Sequence, residues 1–157
     1  MAQPRTKQVD LKGRKFELRR LSPEVGTFIL MRMMGVQMRS EAAQEERAPT
    51  KPVAATEPAA KPPVIDGEAR VRALSFIVFS GAISFEDFKF IQSACMRCVS
   101  IVKVAEGETF PMPIMSDAGE WTKDGQAVVD DVQLLMNLTT EVLVICFADF
   151  FEQGSAV

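Results

Sequence analysis

Seven consecutive apolar residues, Val142 to Ala148, sit near the end of the chain in LTTEVLVICFADFFEQ, and Phe147, Phe150 and Phe151 crowd the turn that follows. A helix apolar nearly all the way round cannot lie on a solvated surface with only one face covered. It has to be core, a membrane anchor or a surface that meets a partner. The run falls well short of the roughly 18 residues a bilayer span needs, and Glu141, Asp149 and Glu152 bracket it, so no membrane span is expected. Leu143, Cys146, Phe147 and Phe150 continue the stripe of Leu135 and Leu138 and are assigned to the core. Val144 and Phe151 fall elsewhere on the helix and are the candidate partner-contact residues. Both faces buried within one domain is the competing expectation.

The 157 residues suffice for one domain with one core. The net charge of −3 is unevenly spread: residues 1–47 hold ten Lys/Arg against six Asp/Glu, and the remainder holds eight against fifteen. The basic start has no Tyr or Trp interleaved with its cations, and the whole is acidic, so nucleic acid is not an expected partner. Arg19 and Arg20 are expected to be solvated or to pair with acidic residues of the C-terminal half. Three cysteines and no signal peptide point to a reducing compartment.

VDLKGRKFELRRL, residues 9–21, alternates at period two about Lys12-Gly13 and predicts a β-hairpin. Ser22-Pro23-Glu24 then opens a helix over 22–47, with an N-cap, a proline suited to the first turn and an acid facing the helix dipole. Residues 48–66, rich in proline and alanine, read as a flexible linker loop within one domain. A helical pair is predicted over 67–103. Its first member is apolar at Val71, Leu74, Ile77 and Val78, and its second is capped by Ser84 with Asp87 completing a weak capping box. Residues 104–125 form a turn-rich loop with a short ribbon near 108–123. A helical segment over 126–152 closes the chain, with Asn137, Thr139 and Thr140 as a potential break. The fold expected is mainly α, with a small N-terminal hairpin.

The chemistry available is sparse. The chain contains no histidine, which removes Ser/His and Cys/His nucleophile arrangements. Cys95 and Cys98 make a CxxC, but on the apolar face of a predicted helix, where cysteine behaves as a small hydrophobe. With Cys146 they supply three of the four ligands zinc takes, so no metal is expected. Asp130-Asp131 diverge by about 100° on a helix and suit a helix N-terminus better than acid/base work. No catalytic residue and no cofactor is expected.

The order of parts is a strand pair GRKFELRRLSP, a helix FILMRMMG, a Pro/Ala loop, a helical middle ISFEDF and an apolar closing helix EVLVICFADFF. It resembles the tail assembly chaperones of long-tailed bacteriophages. The resemblance covers most of the chain outside the linker and is most specific at its two ends. It implies a non-enzymatic late protein of the host cytoplasm, absent from the mature virion. Its job would be to bind the tape measure protein, keep it soluble and promote assembly of the tail tube protein around it. Such chaperones often have a frameshifted longer form. A chain stopping after EQGSAV would correspond to the short form. The alternative is a structural virion component, such as a tail-completion or connector subunit. The oligomeric state is not legible.

Overall fold

The computed structural model describes residues 6–47 and 66–153. The expected linker, apart from Asp66, lies outside them. In chain order the elements are β1 (Thr6–Leu11), β2 (Arg14–Arg19), α1 (Pro23–Arg47), α2 (Gly67–Phe79), α3 (Phe85–Met96), β3 (Val99–Ala105), β4 (Glu108–Pro113), α4 (Lys123–Val129) and α5 (Val132–Gln153). Helices hold 60% of the described residues. The fold is mixed α/β with helices predominant.

The hairpin forms where its alternation places it. Lys12 and Gly13 both have positive φ, 50° and 74°, as a two-residue type I′ turn requires. Phe16 and Leu18 are buried and their neighbours Lys15 and Arg19 are exposed, so one face of β2 meets the helices.

The hairpin is not alone. β1-β2-β3-β4 form one antiparallel sheet in that order, with Phe16 opposite Ile101 and Leu18 opposite Val99. This corrects the helix expected through residue 103. α3 ends at Met96, and the β-branched run Val99, Ile101, Val102 and Val104 pairs with both neighbours. Glu106-Gly107, with φ of 55° and 80°, makes a second turn of the same kind. The ribbon expected near 108–123 is therefore the hairpin of β3 and β4, followed by a single bridge between Met115 and Trp121.

α5 is the spine of the molecule. By length and composition alone it could cross a bilayer, yet 61% of its apolar window is buried inside this chain. Two stripes explain this. Val144, Ala148 and Phe151, spaced four and three apart, look toward α2, whose own buried stripe is Gly67, Val71, Leu74 and Val78. Gly67 permits a close approach, since a Cβ there would strike the Ala148 carbonyl oxygen and the Glu152 side chain. Leu143, Cys146 and Phe147 form the second stripe. It faces the entry to α1: the Leu21 N–H donates to Cys146 Sγ at 3.3 Å, and Gly26 lies against the Phe147 ring.

The expected break at Asn137–Thr140 does not occur. Thr139 and Thr140 donate their hydroxyls to the carbonyls of Leu135 and Met136, at 2.8 and 3.0 Å, and the helix continues. The break lies earlier, at Asp130-Asp131, where Asp131 caps α5 by accepting from the Leu134 N–H at 3.0 Å. Charges of the two halves then meet: Lys7 with Glu141 (3.7 Å), Lys12 with Asp131 (2.6 Å) and Arg20 with Asp149 (3.2 Å).

Candidate apolar binding surface

The two residues expected to meet a partner do not face solvent. Val144 is 1% exposed and Phe151 is 9% exposed. The reason is α2, which covers the side of α5 adjacent to the Leu143–Phe147 stripe. Phe151 is held there with the Arg70 guanidinium 5.5 Å from its ring centre. Phe150, expected in the core, is 55% exposed, at the mouth of a cleft of about 390 Å³ formed with Leu21, Pro23 and Leu30. Leu143 and Phe147 are buried as expected, and Cys146 is half-buried.

Apolar surface is exposed elsewhere. α2 ends in Val78 and Phe79, Gly81 turns the chain with φ of 77°, and Ser84 caps α3 by accepting from the Asp87 N–H at 3.1 Å. This tight connection sets the first turn of α3 beside the first turn of α5. Between them lies a cleft of about 550 Å³, whose lining includes Phe79, Ile83, Phe85, Phe88, Val132 and Leu135 and, among the described residues, contains no charged side chain. Its floor is ordered by Phe79 and Phe88, which meet edge to face at 6.3 Å. Its rim is unusually apolar for a solvated edge: Phe85 is 72% exposed and Val132 is 68% exposed. Lys89 lies 5.3 Å from the Phe85 ring centre and leaves the cleft itself free of charge.

A second apolar region runs along α1. Met31, Met34 and Met38 are exposed, and Phe28 meets Phe90 of α3 edge to face at 5.2 Å. Arg32 covers Phe28 at 5.0 Å and reaches Asp87 at 3.6 Å. Met34 and Met38 also line a groove of about 610 Å³ against Ala73 and Ile77 of α2. Thioether side chains are flexible and polarisable, so such a surface accommodates apolar groups of varied shape.

The cysteines offer no comparable site. Burial pushes the Cys95 thiol well up, with Cys146 nearby adding to the effect, and pushes Cys98 up to about 11. Burial raises Cys146 as well. Thiols held protonated in this way are poor nucleophiles and poor metal ligands. Among the described residues no three His, Cys, Asp or Glu side chains are grouped to hold a metal ion. Lys12 and the Leu134 N–H hold the Asp131 carboxyl below its usual range, in a structural role at the start of α5.

The exposed rings were poorly legible from sequence. Phe85 and Phe88 share one helical face by their spacing, yet Phe85 is exposed and Phe88 half-buried. The usable signal was that Phe85 is the first helical residue after the Ser84 cap, where nothing precedes it to pack against. No protein-family model, curated protein or solved structure matches this chain.

Proposed function

We propose that this chain is a tail assembly chaperone of a long-tailed bacteriophage, which captures apolar segments of the tape measure protein, keeps that protein soluble and hands it to the assembling tail tube. The observation that carries the reading is the uncharged cleft between α3 and α5, rimmed by Phe85 and Val132, on a chain with no histidine and no grouped ligands among its described residues. An apolar cleft of this kind accepts side chains from one face of a helix laid across it, and the flexible methionines of α1 extend the apolar area without imposing one shape. Client capture of that kind needs area and adaptability rather than a fixed constellation of polar groups.

The test is coexpression with a tape measure protein from the same genome, followed by a pull-down from the soluble fraction. Recovery of a soluble complex that is lost with Phe85→Ser supports the reading. Recovery of this chain from purified particles instead assigns it to the virion, as a tail-completion or connector subunit.

A further inference from the structure

The two outer edges of the sheet are treated differently. In a two-residue type I′ hairpin the residues flanking the turn exchange both backbone hydrogen bonds, and that pattern alternates along the strands. Leu11 and Arg14 flank the first turn, so Leu11, Val9 and Lys7 of β1 bond inward to β2. Thr6, Gln8 and Asp10 therefore direct their N–H and C=O groups outward. The same alternation requires Arg19 to bond toward β3, and its N–H does donate to the Cys98 carbonyl at 2.8 Å.

On the opposite edge, Ala105 and Glu108 flank the second turn, so Thr109, Pro111 and Pro113 of β4 face outward. Two of these three residues have no N–H. The Pro113 carbonyl is also occupied, because the Thr122 hydroxyl donates to it at 2.6 Å. β4 is thus closed to a further strand in the way natural edges usually are. β1 is not. It holds no proline, and no hydrogen bond links Thr6, Gln8 or Asp10 to anything beyond the hairpin among the described residues. Its one cation, Lys7, turns to the helix side and meets Glu141.

We propose that β1 is a self-association edge, on which the β1 strand of a second copy of this chain adds antiparallel to make a continuous eight-stranded sheet. The strand's own sequence selects the register. A two-fold axis at Gln8 brings all three outward-facing residues into bonded pairs: Gln8 opposite Gln8 of the second copy, and Thr6 opposite Asp10 in both directions. The paired amides satisfy each other, and each threonine hydroxyl can donate to a carboxylate. An axis at Lys7 sets two ammonium groups opposite each other, and one at Asp10 sets two carboxylates opposite each other; both are unfavourable across a strand pair. An axis at Val9 engages only Gln8 and Asp10. This edge is separate from the apolar cleft, so the proposal does not depend on the function proposed above.

The test is sedimentation equilibrium of the full chain from micromolar to millimolar concentration, beside Gln8→Pro and Gln8→Lys. Gln8→Pro removes an outward N–H and places on β1 what the chain already carries on β4. Gln8→Lys leaves the backbone intact and puts like charges at the axis. The expected result is a concentration-dependent dimer for the parent, with association at least tenfold weaker for both variants and unchanged helical circular dichroism. A parent that stays monomeric at millimolar concentration overturns the proposal. So does a Gln8→Lys variant that is folded and dimerises as the parent does.

Discussion

Phe150 and Phe151 are adjacent in the chain and meet edge to face at 5.2 Å, yet one ring stands in solvent and the other is buried against α2. Neighbours on a helix point about 100° apart, so two adjacent rings cannot share one face. Phe151→Ser should therefore destabilise the fold by about 2–4 kcal/mol, as large core truncations do, with a hydroxyl left in an apolar site. Phe150→Ser should cost less than about 1 kcal/mol. Urea melts of the two variants check this, and equal losses would mean that the α2 side of α5 is not packed as described.

The same pair marks the limit of what was legible. The hairpin, the Ser22 and Ser84 caps and the buried stripe of α2 follow from local signals: a Lys-Gly turn, side-chain oxygens ahead of apolar periodicity, and spacing at three and four residues. Which side of α5 would be covered depends on where α2 docks, and that is a long-range fact. The close approach at Gly67 is visible only once both helices are in place. β3 is not legible in the sequence for a related reason. CVSIVKV continues the apolar pattern of α3, and only pairing with Phe16 and Leu18 of β2 makes it a strand. The apolar cleft joins the beginnings of two helices far apart in sequence, and no local pattern announces it.

A close contact near β4 gives a second prediction. Gly125 lies in the first turn of α4, where Thr122 accepts from its N–H at 3.1 Å, and a Cβ there would strike the Ile114 carbonyl oxygen. Gly125→Ala is expected to lower stability by about 1–3 kcal/mol, because backbone rather than a side-chain tip must yield. A melting temperature equal to that of the parent would show that α4 can shift freely.

Cys98 provides a pH signature. Its thiol is raised from 9.0 to about 11 by burial and by Cys146, with Arg19 opposing. The folded state thus favours the neutral thiol. Its contribution to stability is complete below the unfolded value and is lost as pH rises through that window, since the unfolded chain gives up the proton first. Cys98→Ala should remove this part of the alkaline decline, measured as urea midpoints from neutral pH to 11. An identical decline in parent and variant would contradict the burial of that thiol.

Thiol chemistry should follow the same order. Cys95 is fully buried, and Cys98 and Cys146 are half-buried. Alkylation of the native protein near neutral pH should leave Cys95 unmodified until urea unfolds the chain, read by mass spectrometry of peptides. Rapid modification of Cys95 in the folded protein would show that the α3–β3 junction opens readily.

The account rests most heavily on the cleft of Phe85 and Val132 as a client surface. The direct measurement is the soluble fraction of a coexpressed tape measure protein with the parent chain, with Phe85→Ser and with Val104→Ser. Val104 is an exposed apolar residue of β3, away from the cleft. The account predicts that the parent and Val104→Ser keep the client soluble, while Phe85→Ser, folded to the same melting temperature, loses most of it to the pellet. Equal client solubility with all three chains, or with none present, would contradict it.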